Sequence, residues 1–456
     1  MQARTEEEFS DMLNKINIHR LDRTLLLICL IALLLRIVFV FSLGDTIYWN
    51  IDGKEYDLYA RNILNGDGYV NAQGEPTAYR PVGYSLFLAL IYLLCGQSIV
   101  AVRIIQVFLT VGLIVVIYFI VDKIFKRRAA HVAAAFCAVY PYFIYISGVL
   151  YPTAICTFLF VYLIYRLMIA SEEPTIDRFV GVGLLYGTLL LIRPNFLALL
   201  PFFIAWYFLV PKVRQKVRWK NVSFAVLACA LLVAPWVVRN YHAVGKYTLS
   251  TNGGRNFWLG NNVDATTATG NEVTIPPALQ LELDKTASEI EKEKIYYRAG
   301  FEFVRDNFGQ FVRLTAGKAV TFWRLYPLPS SGYKHNENLS KIASIISFTP
   351  ILLLALLGLG ITMKRQWRLN ITFLCMFLAF NAAHAVFISI VRLRIPLDAF
   401  LIVFSSYAGV YVWDWFAGLS GKWKEHSRKA LSPVDMVADM KDRTVEVKWP
   451  VISRMS

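Results

Sequence analysis

Three observations on the 456-residue chain predict an all-α polytopic membrane protein. Hydrophobic residues make up 56% and charged residues 17%, against about 45–50% and 25% in soluble domains. The excess gathers in runs such as Thr24–Leu43, Ile99–Val121 and Lys341–Met363. Each has about the 20 residues that cross a ~30 Å hydrocarbon layer as a helix. The net charge of +15 sits beside those runs, the pattern that orients spans in a bilayer rather than one that binds nucleic acid.

Cys29, Cys95, Cys137, Cys156, Cys229 and Cys375 all fall inside apolar runs and read as small hydrophobes. Their spacing describes neither a disulfide framework nor a metal site. The first run follows a polar stretch and ends in Phe41-Ser-Leu-Gly-Asp45 without a small-residue cleavage motif, so it reads as a retained span.

Basic clusters set the topology. Arg20 and Arg23 place the N-terminus in the cytoplasm, and the first span, 24–43, leads out to a loop, 44–81, whose basic residues are Lys54, Arg61 and Arg80. Three dense clusters belong inside: Lys123 to Arg128, Lys212 to Lys220, and Lys364 to Arg368. The short run Val82–Gly96 must then stay at the outer face as a juxtamembrane or re-entrant helix, since a full crossing would put 123–128 outside. About ten spans follow, near 24–43, 99–121, 129–146, 153–170, 179–192, 195–210, 221–237, 341–363, 369–390 and 395–416, with both termini cytoplasmic. Two places strain this scheme. Arg193-Pro194 splits 179–210, and the inner loop 171–178 is acidic.

The chain divides accordingly into a cytoplasmic N-terminus (1–23), an N-terminal transmembrane catalytic module (24–237) with its outer loop 44–81, a small α-rich extracytoplasmic domain (238–340), C-terminal transmembrane helices (341–416) and a cytoplasmic tail (417–456). In 238–340, Asn/Gly turns precede one helical stretch near 278–324, where Tyr297, Phe301, Val304, Phe308 and Phe311 keep helical spacing. Pro141 and Pro350 are expected to kink their helices. Trp206, Trp236, Trp413 and Trp415, near run ends, suit an aromatic belt.

On this topology Asp52, Glu55, Arg80, Arg193, Arg239, Asn240, Arg392, Arg394 and Asp398 collect at the outer mouth. Headgroup snorkelling accounts for an isolated outer arginine. Five from distant segments favour a phosphate at the membrane boundary, held by bidentate guanidinium forks. Asp52 opens an amphipathic helix with Tyr56, Tyr59, Ala60 and Ile63 on one face and Gly66/Gly68 at its end. It suits a helix N-cap or a general base that takes the proton of an acceptor hydroxyl. Arg80 would offset charge developing on the leaving phosphate. His384 reads as a packed polar residue and His131 as interfacial. Trp258 suits sugar stacking as well as packing.

Asp52-x-x-x-Tyr56, Asn65-Gly-Asp-Gly-Tyr69 and Tyr79-Arg-Pro-Val-Gly-Tyr84-Ser resemble the first outer loop of the GT-C glycosyltransferases. The branch is family 39, the bacterial relatives of protein O-mannosyltransferases and lipid A aminoarabinose transferases. Leu191-Ile-Arg-Pro-Asn195, Pro235-Trp-Val-Val-Arg-Asn-Tyr241, Ser250-Thr-Asn-Gly-Gly-Arg-Asn-Phe-Trp-Leu-Gly-Asn-Asn262 and Arg392-Leu-Arg-Ile-Pro-Leu-Asp-Ala-Phe400 extend the match from about residue 20 to 416. The resemblance implies an inverting transfer of a monosaccharide from a polyprenyl-phosphate donor to a lipid, glycan or protein acceptor. The setting would be the outer face of a bacterial inner membrane, and no cofactor is implied. Asp52 matches the catalytic acid, and Arg80 falls where relatives place a cation near the donor phosphate. Arg193, Arg239, Arg392 and Arg394 join it as expected phosphate ligands. Glu55, Tyr56, Tyr79, Tyr84, Tyr151, Asn240, Asn256, Trp258 and Asn261 are the expected substrate contacts.

One departure stands out. Many relatives carry a second acid before the fourth span, whereas Ser147-Gly-Val-Leu-Tyr-Pro-Thr153 has none. Tyr151 or Thr153 takes that place, so a carboxylate-bound divalent metal is not indicated. Two other functions fit the architecture. A glycan transporter or flippase calls for midplane polar groups and usually internal repeats. A glycan polymerase or ligase would use a diphosphate-linked donor.

Overall fold

The computed structural model describes residues 22–44, 51–267, 273–327 and 337–417. The expected N-terminal segment up to Leu21 and the tail beyond 417 lie outside the described residues. So does Arg20. Among the described residues the chain is helical without strands, apart from one isolated bridge between Val70 and Pro76.

The elements, in order, are α1 (Arg23–Ser42), α2 (Ile51–Asn65), α3 (Val82–Cys95), α4 (Ile99–Phe125), α5 (Arg127–Val139), α6 (Pro141–Gly148), α7 (Thr153–Glu172) and α8 (Ile176–Ile192). A 3₁₀ segment (Pro194–Leu199) then leads into α9 (Leu200–Leu209), α10 (Pro211–Lys216), α11 (Trp219–Val244), α12 (Gly253–Gly260), α13 (Pro277–Asp284), α14 (Glu289–Asp306), α15 (Phe308–Thr321), α16 (Glu337–Val386) and α17 (Val391–Phe416).

Six helices are long and apolar enough to cross a membrane, and the bent pair α5–α6 makes a seventh. α16 is 50 residues long, roughly 75 Å at 1.5 Å per residue, far more than one crossing needs. Its single non-helical residue is Gln366, beside the basic cluster Lys364, Arg365 and Arg368, so it reads as two spans. Among the described residues that makes eight spans by length and composition; the shorter α8 and 194–209 segment would be needed for the expected ten. Pro350 lies inside α16 with the helical dihedrals continuing through it. Pro141 does mark a bend, of 51°, between α5 and α6.

Two layers of charged contacts, ion pairs in one and arginine-to-carbonyl bonds in the other, sort the helix ends. On one side Asp22 meets Arg127 at 2.9 Å and His131 at 2.7 Å, and Arg128 meets Asp414 at 2.6 Å. Glu172 takes Lys123 at 2.5 Å through its carboxylate, and its carbonyl accepts from Lys216. The acidic loop 171–178 is thus met at Glu172 by two of the cationic clusters. On the other side Arg103 donates to the carbonyls of Gly148 and Gly44, joining the ends of α6, α1 and the start of α4. α3 begins beside Arg80 and ends just before α4 on that same side. Its Tyr92 and Tyr84 face α2, through Asp57 and Tyr56, so it packs against the helix that carries Asp52.

α17 is the central helix and is buried over most of its length. α1 turns Leu27, Leu34, Val38 and Phe41 outward and buries Ala32, Arg36 and Val40. α11 packs on α8 at Gly183, where a Cβ would stand 2.0 Å from the Ala225 carbonyl, a small-residue contact typical of membrane helices. In the segment after α11 the expected single helix over 278–324 is three helices, α13 to α15. Asn307 breaks the chain between α14 and α15, so Phe308 and Phe311 belong to a different helix from Tyr297. Trp206 and Trp236 are also corrected. Both are buried, donating to Ser171 Oγ and to the Leu249 carbonyl, while Trp413 and Trp415 are exposed as a belt requires.

A labelling experiment tests this topology. Single cysteines placed at Gln73 and Lys285, both exposed, should react with an impermeant reagent added outside. Cysteines at Lys126 and Lys216 should not. Outside labelling at 216 would overturn the arrangement.

Candidate active site

Asp52 lies in the first turn of α2, one residue inside the helix. Its Oδ1 accepts from Arg80 Nη2 at 2.7 Å and its Oδ2 from the Tyr151 hydroxyl at 3.1 Å. Arg392 Nη2 stands 3.6 Å from Oδ2. These partners come from three other segments, which corrects the N-cap expectation. Burial alone would raise the Asp52 pKa. Arg80, then Arg392 and the Tyr151 hydroxyl, outweigh it and hold the carboxyl below its usual range.

Arg80 bridges two carboxylates, since its Nε also donates to Glu55 at 2.6 Å. Its guanidinium covers the Tyr79 ring at 5.0 Å and approaches Tyr56 at 5.9 Å. Glu55 and Asp52 share this arginine because residues three apart in a helix lie on one face. Buried Tyr56 packs edge-on against Tyr84 and Tyr151 and forms the floor.

Tyr151 is the hub on the far side. Arg392 lies 3.9 Å over its ring and Arg193 5.1 Å, cation–π contacts that need a fixed ring. The loop carrying it is pinned by Gln106, whose side-chain amide Nε2 donates to the carbonyls of Ser147 and Val149. The Gln106 carbonyl oxygen in turn accepts from Tyr84, so Tyr84 acts beneath the site. Arg193 is buried and donates to Thr153 Oγ1 at 3.2 Å. Next to it, Asn195 donates to His384 Nε2 at 3.0 Å, the ring's Nδ1 being taken by the Phe380 carbonyl. Asn195 Oδ1 and Arg392 Nε are buried without a hydrogen-bond partner.

Other expected ligands are committed elsewhere. Arg239 and Asn240 sit in the last turns of α11. Arg239 donates to the carbonyls of Thr77 and Tyr69, and Asn240 to that of Thr248. Arg394 is fully buried, paired with Asp398 at 2.9 Å and bonded to the carbonyls of Phe322 and Arg324. Asn261 bridges the carbonyls of Phe257 and Val386. Trp258 packs on Tyr296 at 5.5 Å, and Asn256 lies half-buried beside it in α12. Sequence reasoning missed Gln106 and Lys318. Lys318 is buried against Gly260, Asn261 and Phe387, on the turn that leads to Arg392, and burial lowers its pKa to about 8.

The donor set does not suit a divalent cation. Asp52 and Glu55 are both paired with Arg80, and Arg193 and Arg392 flank the remaining side. Among the described residues no group of three or more His, Cys, Asp or Glu comes together. The cluster suits an anion instead. Arg80 pairs with both Asp52 and Glu55, Arg392 approaches Asp52, and Arg193 stands behind on the Tyr151 ring; three arginines against two carboxylates leave one positive charge in excess in the cluster.

Residues 79–238, roughly a third of the chain, match the family described as dolichyl-phosphate-mannose-protein mannosyltransferase. That stretch contains Arg80, Tyr151 and Arg193. No curated protein matches the chain at a significant level. Among solved structures, the Archaeoglobus fulgidus oligosaccharyltransferase in complex with zinc and sulfate aligns at a TM-score of 0.52 and 16% identity, over 92% of this chain and 52% of that one. Its apo form gives 0.51 and 16%, over 92% and 55%. The chain thus spans about half the length of these structures, and the likeness is one of fold. ArnT from Cupriavidus metallidurans bound to undecaprenyl phosphate aligns at 0.42 and 12%, over 84% and 77%.

Proposed function

We propose that this chain, a multi-pass protein of GT-C fold with a mannosyltransferase-family segment at 79–238, is a glycosyltransferase. It moves one sugar from a polyprenyl-phosphate donor to a lipid, glycan or protein hydroxyl at the outer face of a bacterial cytoplasmic membrane. The observation that carries this reading is the charge count at Asp52. A polyprenyl-phosphate sugar is a phosphodiester with one negative charge, and the site holds one positive charge in excess. Arg392 Nε, buried and unpartnered, is a donor in reserve for it.

In the proposed reaction Asp52 takes the acceptor's proton. The acceptor oxygen attacks the anomeric carbon from the face opposite the phosphate, and the bond to the phosphate oxygen breaks with inversion. The leaving polyprenyl phosphate gains a second negative charge, which the arginines offset. As they turn to the phosphate their hold on Asp52 weakens, and the carboxylate becomes a stronger base when it is needed.

Purified protein incubated with polyprenyl-phosphate monosaccharides should release polyprenyl phosphate, read by mass spectrometry. No release or transfer with any such donor and a panel of acceptors would sink the reading. In the same system Arg80→Ala should weaken donor binding by roughly 10- to 100-fold, the loss of a charged hydrogen-bond partner of about 1.5–3 kcal/mol. Unchanged donor affinity in the folded variant would remove Arg80 from the phosphate site.

A further inference from the structure

The peptide bond between Thr77 and Ala78, two residues before Arg80, is gripped at both poles. Arg239 Nη1 donates to its carbonyl at 2.6 Å, and Glu289 Oε1 accepts from its N–H at 3.0 Å. Glu289 Oε2 also accepts from the Thr77 hydroxyl at 2.6 Å, and the Thr251 hydroxyl donates to Oε1. A cation at the carbonyl end and an anion at the amide end are aligned with the peptide dipole, and charge-assisted bonds are about twice as strong as neutral ones. Thr77 and Ala78 are buried, so water does not compete for these groups.

The same strap is held at its start and its exit. Arg239 Nη2 donates to the Tyr69 carbonyl at 2.7 Å, and the Tyr69 hydroxyl donates to the carbonyl of Arg80 itself at 3.0 Å. Residues 66–81 contain no helix; their own backbone closes a short turn through the Val70–Pro76 bridge and the Thr77 N–H to Tyr69 carbonyl bond, and these bonds stop before Arg80. The fixing groups come from α11 and from the first turn of α14, more than 150 residues further along the chain.

We propose that Glu289, acting with Arg239 across the Thr77–Ala78 peptide, is a positioning residue that sets Arg80 between Asp52 and Glu55 and within reach of the donor phosphate. This rests on the phosphate role proposed for Arg80. It gives the segment after α11 a task in the reaction: α14 clamps a loop whose exit residue binds donor. Glu289 itself is bonded to the strap and to Thr251, not to the reacting groups. Its loss leaves the Ala78 N–H and the Thr77 hydroxyl buried without their acceptor. The strap then relaxes, and Arg80 loses its fixed place.

The test uses the full chain in lipid nanodiscs, with undecaprenyl phosphate as the binding probe and a polyprenyl-phosphate sugar as donor. Glu289→Ala should raise the probe Kd and the donor KM about tenfold, a charge-assisted bond's worth, and lower kcat as well, because the displaced Arg80 also offsets the charge on the leaving phosphate. Glu289→Gln, which keeps an acceptor for Ala78 N–H, should recover most of the affinity. A merely structural glutamate would lower Tm and the active fraction and leave the Kd of the folded protein at the wild-type value, and that result overturns the proposal. If Glu289→Ala does not fold, Thr77→Val carries the test. It removes one hydroxyl from the clamp and should still raise Kd; an unchanged Kd there overturns the proposal too. Wild-type protein that binds no undecaprenyl phosphate overturns the donor reading and this proposal with it, whereas wild-type binding with an unaffected Glu289→Ala overturns this proposal alone.

Discussion

Asp52→Asn protein is expected to fold and bind donor while its turnover falls by about 10²- to 10⁴-fold, the usual contribution of a positioned base. Asparagine keeps the volume, and its single carbonyl oxygen still accepts from Arg80 or from Tyr151, the two donors that Asp52 holds at 2.7 and 3.1 Å. Arg80 keeps Glu55, and Arg392, which loses its carboxylate at 3.6 Å, keeps the Tyr151 ring. The substitution also removes one negative charge from a site that already carries a positive excess. Donor affinity should therefore stay level or rise, which separates a lost base from a lost fold.

Glu55→Gln is the comparator. It removes the neighbouring carboxylate and leaves Asp52 in place, and turnover should survive it. The pH profile follows from the same contacts. Burial pushes the Asp52 carboxyl up, but Arg80, Arg392 and Tyr151 hold it below its usual range, so the base stays ionised as pH falls. The acid limb of kcat/KM in the donor-free enzyme should then lie below the ordinary carboxylate pKa of about 4. Near-wild-type turnover in Asp52→Asn would leave Asp52 as an ion-pair partner only.

The parts of this site that were legible in the sequence are those that violate a rule of their surroundings. Arg80, Arg193 and Arg392 break the charge asymmetry of a membrane protein, and the structure gathers all three about Tyr151 and Asp52. Arg239 and Arg394 break it equally, yet they go to backbone carbonyls and to Asp398. A sequence cannot separate these outcomes, because every residue offers a carbonyl and none announces that its own is unsatisfied. Glu289 was illegible for a related reason. Its partners are the backbone of Ala78 and two hydroxyls, and an acid at the start of an exposed amphipathic helix is what the helix dipole favours anyway. The multi-pass helical architecture was legible because apolar length and basic flanks both report on the bilayer. The inner acidic loop looked anomalous only until Glu172 was seen beside Lys123 and Lys216.

One rule-breaking residue inside a span carries the largest stability effect. Arg36→Met is expected to destabilise the packed bundle by about 2–6 kcal/mol. Arg36 lies in α1, fully buried, and donates to Thr110 Oγ1 and to the carbonyls of Ala32, Cys137 and Ala138, all at 3.0–3.1 Å. Two of those carbonyls exist as free acceptors because of Pro141. A proline has no N–H to return to the residue four before it, Cys137, and its ring turns the chain, here by 51°. Methionine fills much the same space but donates nothing. Each carbonyl then costs about 1–3 kcal/mol as a buried unsatisfied group. The cost of placing a charge in the bilayer does not repay this, since α1 inserts with Arg36 before the helices pack and the cost is present in both states. The measurement is reversible unfolding in mixed micelles, run as a cycle with Pro141→Ala. Alanine restores a donor for the Cys137 carbonyl, so the double variant should lose less than the two single effects added together. A strictly additive cycle, or an Arg36→Met protein as stable as the wild type, would show that the bend satisfies its carbonyls without Arg36. The bend matters for the chemistry because α6 runs straight into the loop that presents Tyr151. A folded Arg36→Met variant should therefore lose turnover as well, although Arg36 touches none of the reacting groups.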